Sequence, residues 1–442
     1  MIKKLLSSQL RINMASGMAA TVVNIAVMAA GYPIYLHFLG YEKYGVWLVL
    51  AVVLTFAQLG DLGINPAMTK LVAEEYGRKN IKGIQSYIAT ALVMLCLSGI
   101  IVLAAVLIFK VQIIALFKLS PENAKMASWL LPYIGVLSIY IFIVNVFNAT
   151  LSGLGRMDWA NYIQTASKVI AIVVAAVLLY LGRGLESMII SSAISYLFIQ
   201  VISIICVRKI IPIRILHISN LNVQFGQRLL SFGGTVFSGS LISMLLSPFN
   251  KLMLSRYAGV STVPVYEIAY TGSMQIRALF EVSLRALMPE ISRIGIDVTM
   301  QTKKRISRIY SYSMKLILLL GIPVLAALAI FAPILLKVWL RDRFVETLPS
   351  AFRIMLAGAF LSLLCVPAYY TLMGLGRVHL CFLSQVIQGI VNAATVGIII
   401  ILTGGISTFT ITLSVVLAMG AASSYLLWQN QNVMRKFRVG VK

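Results

Sequence analysis

Charged side chains recur along one long apolar stretch of the sequence, residues 263–287. Arg277, Glu281 and Arg285 are spaced four residues apart, so on a helix the carboxylate lies between two guanidinium groups. Glu267 belongs to the same face, because a series of steps of three or four residues stays on one side of a helix. Two arginines around one acid give this face a net positive charge. The spacing therefore predicts a positive stripe along one helix.

A charge within the hydrocarbon of a membrane costs at least about 2.5–3.5 kcal/mol, so it usually faces a cavity or a partner. We therefore expect the stripe to line water, a substrate path or another part of the protein. Lys251, next to Asn250, adds a further cation in the preceding apolar stretch. The alternative is a ladder of internal salt bridges that only packs helices together. The excess of cations favours cavity lining.

A second polar group combines an acid with two amides. Gln58, Asp61 and Asn65 are spaced by three and four residues, just before Pro66. An acid beside amides suits a site for a coupling ion, either H⁺ or Na⁺. The alternative is a polar cluster at a helix end near the cytoplasmic interface. The sequence leaves both interpretations open.

The composition indicates the kind of element that positions these groups. The chain of 442 residues is 60% hydrophobic and 11% charged, whereas soluble domains carry roughly a quarter charged residues. Apolar runs of about 20 residues, enough to cross a hydrocarbon core, recur throughout. Because backbone groups in lipid must bond internally, these runs predict helices and an all-α polytopic membrane protein. The twelve predicted spans are 12–37, 46–68, 84–109, 127–151, 160–181, 185–207, 230–255, 263–287, 311–336, 354–375, 380–402 and 406–428.

The distribution of Lys and Arg predicts the orientation of these spans. Connections on the side of the N-terminus hold about twice as many cations as those on the other side. This bias predicts that both termini are cytoplasmic. The span 263–287 is the weakest by hydropathy because of its charges. Without it, the basic loop 293–308 would lie outside, so the charge rule favours keeping it.

An internal repeat divides the chain into halves. Thr150-Leu-Ser-Gly-Leu-Gly-Arg156 recurs as Thr371-Leu-Met-Gly-Leu-Gly-Arg377, and six of the seven positions are identical. Six spans separate the copies, so the halves have the same orientation and form a parallel repeat. The sequence thus predicts two six-helix lobes, 1–215 and 216–442. Arg156 and Arg377 are expected to anchor the turns to headgroup phosphates or to cap helix carbonyls.

Several other functions are not supported by motifs. The four cysteines and three histidines are scattered, so no metal site is predicted. There is no nucleotide-binding Gly-x4-Gly-Lys-Ser/Thr loop and no catalytic serine or cysteine constellation. Most of the net charge of +24 is explained by cytoplasmic cations, and several further cations lie within predicted spans, so nucleic acid is not an expected partner. We expect a transporter driven by an ion gradient or by product flow, and not an enzyme.

The chain resembles the polysaccharide-flippase branch of the multidrug/oligosaccharidyl-lipid/polysaccharide exporter superfamily, the Wzx-type O-antigen flippases. The resemblance covers essentially the whole chain, although none of its motifs is diagnostic by itself. It is carried by Phe38-Leu-Gly-Tyr-Glu-Lys-Tyr-Gly-Val-Trp47, Asp61-Leu-Gly-Ile-Asn-Pro-Ala67, Gly153-Leu-Gly-Arg156 with Asn161-Tyr162, and Ala286-Leu-Met-Pro-Glu-Ile-Ser-Arg293.

The resemblance implies a V-shaped pair of six-helix lobes around a central cationic cavity in the bacterial inner membrane. It also implies that undecaprenyl-pyrophosphate-linked oligosaccharide moves from the cytoplasmic to the periplasmic leaflet by ion-coupled alternating access. Membrane lipids, a polymerase and chain-length proteins of the same pathway are the implied partners.

The residues themselves are compatible with this implied cargo. A pyrophosphate needs desolvated positive charge, which Lys251, Arg277 and Arg285 offer. One alternative is a multidrug exporter of the same superfamily, which would need an acidic or apolar pocket for cationic drugs. Another is a membrane scaffold in a polysaccharide assembly complex, which would not need buried charges.

Overall fold

A computed structural model describes residues 8–211, 223–284, 291 and 300–439. Throughout these ranges the regular structure is helical and no strand occurs, which confirms the predicted all-α fold. The helices are α1 (Ser8–Ala57), α2 (Ile64–Gly77), α3 (Ile81–Ile108), α4 (Lys110–Leu116), α5 (Pro121–Gly153), α6 (Met157–Tyr180), α7 (Glu186–Ile210), α8 (Val223–Ala258), α9 (Val263–Leu284), α10 (Met300–Leu316), α11 (Ile322–Leu340), α12 (Thr347–Leu364), α13 (Val366–Gly374), α14 (Val378–Thr403) and α15 (Thr408–Val439).

Nine helices in the described ranges are long and apolar enough to cross a membrane. They carry ten of the twelve predicted spans, because α1 contains two segments that meet at Gly40, where the backbone leaves the helical conformation (φ 68°, ψ 179°). Glycine tolerates this conformation because it has no Cβ. The remaining two predicted spans fall on α8 and α9. Their described residues are helical, and their membrane crossing stays a prediction.

The predicted span 46–68 is not one continuous helix. It contains the end of α1, a 3-10 turn over Gln58–Asp61 and the start of α2. Leu62 and Gly63 between them have positive φ angles of 49° and 74°. Pro66 lies in the first turn of α2, where its missing N–H costs nothing. The prediction of an unbroken span over 46–68 is therefore wrong, because the backbone leaves the helical conformation at Leu62 and Gly63.

The chain forms two compact units, residues 1–241 and 242–442. In the first unit α3 and α2 pack against α5, and α6 packs against α7 and α1. Its core contains buried Met68, Ile84 and Phe147. The predicted division at 215/216 lies outside the described residues, whereas the boundary between the compact units falls within α8.

In the second unit α12 and α14 pack against α15, and α9 packs against α12. Met355 and Leu363 of α12 are fully buried in this unit, as is Val415 of α15. The packing holds α9, which carries the predicted stripe, against the most buried helices of the unit. The described part of the stripe is thus held by the core of this unit.

Within the first unit, α8 lies backbone to backbone against the turn that precedes α2. A Cβ added to Gly233 would lie 2.7 Å from the carbonyl oxygen of Gly63, closer than real Cβ atoms approach. A Cβ on Gly63 would overlap the carbonyl of Gly233 in the same way. Glycine at both positions is what permits this approach.

The two copies of the repeated heptapeptide have the same backbone structure. Gly155 and Gly376 adopt φ angles of 79° and 75°. The Arg156 amide donates to the Leu151 carbonyl at 3.0 Å, and the corresponding bond in the second copy is 2.8 Å long. These bonds close the C-terminus of the preceding helix in the manner of a Schellman motif. The two copies of the repeat therefore form the same type of turn.

Candidate functional site

Lys251 of α8 and Glu267 of α9 form an ion pair in the second unit. The Lys251 Nζ lies 2.8 Å from Glu267 Oε2, and the side chains are only 13% and 15% exposed. The other carboxylate oxygen accepts a hydrogen bond of 3.1 Å from the Thr271 hydroxyl. The carboxylate is thus held from two sides. An ammonium group has three donors, and Glu267 is the only ion-pair partner of Lys251 among the described residues, so donors are left for a further anion.

A series of hydrogen bonds between fully buried side chains lies beside this ion pair, one residue away from it on both α8 and α9. Asn392 of α14 donates a 2.9 Å hydrogen bond to Asn250, which in turn donates to the Tyr266 hydroxyl at 3.2 Å. The Tyr266 ring stacks on Tyr270 with centroids 5.5 Å apart. Because buried polar groups must be bonded, this series of hydrogen bonds fixes the register of α8, α9 and α14. Asn250 was noted from the sequence, whereas its partners Tyr266 and Asn392 were not predicted.

Arg277 and Glu281 form the second ion pair, along α9 itself. Their closest atoms, Arg277 Nη1 and Glu281 Oε2, are 3.2 Å apart. The Tyr370 hydroxyl of α13 donates a 2.9 Å hydrogen bond to the other oxygen of Glu281. Sequence reasoning missed Tyr370, because helical periodicity relates residues of one helix and carries no information about which helix packs beside it.

The described part of the stripe is balanced in charge. Lys251 and Arg277 each have one carboxylate partner, so the predicted surplus of positive charge depends on Arg285, which lies outside the described residues. The guanidinium of Arg277 nevertheless has unused donors. Its Nε is buried, and no acceptor for it is found among the described residues. The two pairs therefore form a preorganised set of donors with their own counter-ions.

The structure brings Asp61 and Asn65 together at the break between α1 and α2. Asp61 Oδ1 accepts hydrogen bonds from the Asn65 side-chain amide at 2.7 Å and from its backbone N–H at 3.3 Å. The carboxylate thus caps the first turn of α2. Gln58 belongs to the same 3-10 turn, but no hydrogen bond to Asp61 is seen within the described residues. This geometry matches the helix-end interpretation and leaves the ion-site hypothesis as a prediction.

The predicted anchor Arg156 is held within the first unit. Its guanidinium bonds both carboxylate oxygens of Asp158, at 3.1 and 3.0 Å, and its centre lies 3.8 Å from the centroid of the Trp159 ring. Asn13 near the start of α1 ties this group down further by accepting from the Asp158 backbone N–H and donating to the Gly155 carbonyl. These hydrogen bonds connect the turn at Gly155 and the start of α6 to α1.

The second predicted anchor, Arg377, has different surroundings. It is exposed, and His379 stands where the first copy has Asp158. No ion pair of Arg377 is found in the described part of the chain. The two repeat turns thus share a backbone but not an electrostatic environment.

The family model described as "Polysaccharide biosynthesis protein" matches residues 11–295 of this sequence, well over half of the chain. The chain belongs to this family. The polysaccharide biosynthesis family match includes the first unit and, in the second, the stretch with Lys251 and the predicted stripe. The resemblance stated from the sequence is confirmed.

Individual relatives agree with the family. A Shigella flexneri protein whose name provisionally describes it as an O-antigen transporter is 22% identical over 347 residues, 77% of this chain and 78% of its own. The inward closed conformation of the lipid II flippase MurJ has a TM-score of 0.75 at 14% identity, covering 97% of this chain and 90% of MurJ. An inward-facing multidrug resistance MATE transporter of the MOP superfamily has a TM-score of 0.74 at 14% identity, covering 96% of both chains.

This multi-pass membrane protein shares the fold of these two solved structures. One of them is a lipid II flippase and the other a multidrug resistance transporter.

Proposed function

We propose that the protein is a flippase that moves undecaprenyl-pyrophosphate-linked oligosaccharide from the cytoplasmic to the periplasmic leaflet. The observation that carries the proposal is the pair of largely buried cations, Lys251 and Arg277, within the fold of a polysaccharide biosynthesis family member. The Shigella flexneri relative and MurJ, whose printed names describe transport of O-antigen and flipping of lipid II, support the same class of cargo.

The chemistry of the two ion pairs suits a pyrophosphate. Charge-assisted hydrogen bonds from ammonium and guanidinium groups to phosphate oxygens are stronger than neutral ones, and guanidinium can bond two oxygens at once. Glu267 and Glu281 hold the cations in place while the site is empty. When cargo enters, its phosphates would bind the unused donors or displace the carboxylates. The sugars would be carried passively by the anchored headgroup.

We further propose that transport proceeds by alternating access in the inner membrane, coupled to H⁺ or Na⁺, with both termini cytoplasmic. The two compact units and the repeated turn support a two-lobe mechanism of this kind. Asp61 is the candidate for the coupling ion, because a carboxylate at a helix break offers oxygens to a cation. A polymerase and chain-length proteins are the proposed partners of the pathway.

A multidrug exporter is the second candidate. The similarity to the MATE transporter and the equal number of acids and cations in the described site favour it. A drug exporter would use Glu267 and Glu281 to bind cationic compounds. Neutralising Lys251 and Arg277 would then leave transport intact or improve it.

The experiment that separates these functions uses the double variant Lys251→Ala, Arg277→Ala in a flippase-null strain. Surface glycan and drug resistance are measured side by side. Loss of one charge-assisted contact weakens cargo binding by roughly ten- to a hundred-fold, so surface glycan should be nearly absent. Lys82→Ala, at an exposed position, is the control for loss of charge alone. Full surface glycan in the double variant, at equal membrane abundance, would disprove the proposal.

A further inference from the structure

Helix α10 has a basic face that the proposed transport function does not use. Ile306 on its opposite side is buried and packs with Leu375 and Met434. On the outer side, exposed Lys304, Arg308, Tyr312 and Lys315 fall within an arc of about 80° at 100° per residue. We call these four residues the α10 basic face. Tyr312 is 69% exposed, a large fraction for an aromatic side chain.

The position of this face along the chain places it near a membrane surface. Helix α10 continues through a π-helical turn, Ile317–Gly321, into the apolar helix α11. The segment Lys304–Arg343 is 40 residues long, or about 60 Å, whereas a hydrocarbon core is about 30 Å thick. One end of the segment must therefore extend well beyond the hydrocarbon. Lys315 directly precedes the apolar run Leu316–Leu320. We therefore place the start of the hydrocarbon at this run, inside the predicted span 311–336, and the basic face starts at headgroup level.

The rest of the face lies close enough to the membrane for the electrostatic potential of charged headgroups to act on it. Tyr312 is about one helical turn from Lys315, and Lys304 is about 16 Å away along the axis. The headgroup layer is roughly 5–7 Å thick on each side, so Lys304 lies about one Debye length beyond it. Tyrosine is enriched at this level of membranes because it has an apolar ring and a polar tip.

All charged side chains of helix α10 are positive. Residues 300–316 contain five Lys and Arg and no Asp or Glu. Membrane orientation alone requires cations on one side, but it does not require that they share a helix face with an exposed tyrosine. A face of this kind complements an anionic surface.

We propose that the α10 basic face is a binding site for anionic phospholipid headgroups of the leaflet at which α10 emerges. Lys315 and Tyr312 contact the headgroups, and Arg308 and Lys304 attract further anionic lipid. Phospholipid is favoured over an acidic protein because α10 is continuous with a membrane helix, so its basic face always meets lipid at high local concentration.

The test uses the full chain reconstituted in nanodiscs of phosphatidylcholine mixed with phosphatidylglycerol. Lipids retained after transfer to detergent are counted by native mass spectrometry. Wild-type protein should retain phosphatidylglycerol in several-fold excess over its share of the bilayer, and the excess should fall as salt rises. The triple variant Lys304→Gln, Arg308→Gln, Lys315→Gln should lose most of that excess.

The matched control removes three charges from connections predicted on the opposite side, by Lys43→Gln, Lys110→Gln, Lys118→Gln, and should keep the excess. Thermal unfolding in detergent verifies that both triple variants are folded. An unchanged excess in the α10 variant would overturn the proposal, as would an equal loss in the control. The readout does not involve flipping, so the result is independent of the proposed transport function.

Discussion

The hydroxyl of Tyr370 donates a 2.9 Å hydrogen bond to Glu281, and the other oxygen of that carboxylate lies 3.2 Å from Arg277. One acid therefore connects a tyrosine of α13 with a cation of α9. Because the carboxylate is fixed at both oxygens, the guanidinium has a defined orientation. The cation of the proposed cargo site is thus positioned from a second helix.

Tyr370→Phe tests this positioning role. The change removes one hydrogen bond, worth about 0.5–1.5 kcal/mol, and keeps the ring. We expect cargo binding to weaken by a few-fold with only a small loss of thermal stability, as measured with purified protein and a lipid pyrophosphate. Tyr369→Phe, at the neighbouring ring, is the control. If Tyr370 acts through Glu281, its substitution has no further effect in a Glu281→Gln background, whereas additive losses would contradict this role.

The ion pair between Lys251 and Glu267 distinguishes cargo binding from helix packing. Lys251→Met alone leaves the largely buried Glu267 carboxylate without its cation, at a cost of about 3–5 kcal/mol. Adding Glu267→Gln removes the stranded charge, so we expect thermal stability to return close to that of the wild type. Transport of lipid-linked glycan should nevertheless stay lost, because the ammonium is still missing. Recovery of surface glycan together with stability would show that the pair only packs helices.

Two substitutions of Asp61 separate its role in capping α2 from a role in ion coupling. Asp61→Asn keeps a side-chain oxygen that can accept from Asn65, whereas Asp61→Ala removes the cap at a cost of about 0.5–2 kcal/mol. We therefore expect the Asn variant to keep the wild-type melting temperature. If Asp61 binds the coupling ion, the same variant loses stimulation by an imposed proton or sodium gradient in proteoliposomes. Persistent stimulation would restrict Asp61 to its structural role.

The predicted topology depends on α9 crossing the membrane. Reporter fusions after residues 260 and 300 should give a periplasmic and a cytoplasmic signal, in that order. The expectation follows from the excess of Lys and Arg in the connections on the side of the termini. The same signal from both fusions would mean that α9 does not cross, and the stripe could not then line a transmembrane path.

The sequence predicted the helices well because lipid restricts the backbone to internally bonded structures. The kink at Gly40 lies in the connection between the predicted spans 12–37 and 46–68. The break at Leu62 was not predicted, since it is a local backbone departure within an apolar run. The partner residues Tyr370 and Asn392 were also missed. They come from helices distant in sequence, and periodicity describes only the face of a single helix.

The repeat shows the same limit in another way. Seven similar residues were enough to predict that the turns at Gly155 and Gly376 are equivalent. The surroundings of Arg156, however, depend on Asp158 and Asn13, which lie outside the repeated heptapeptide. Turn geometry is encoded locally, whereas the charge environment of the arginine is set by tertiary contacts.

The backbone contact between Gly63 and Gly233 has a consequence at the level of the gene. Every amino acid other than glycine carries a Cβ, and at both positions that atom would collide with the opposite backbone. Gly63 adds a positive φ of 74°, which other residues rarely adopt. Any missense change in either of these two codons is therefore expected to damage the protein, even a change to alanine. Functional copies of the gene should vary at these codons only by synonymous substitution, although neither glycine can contact cargo through a side chain.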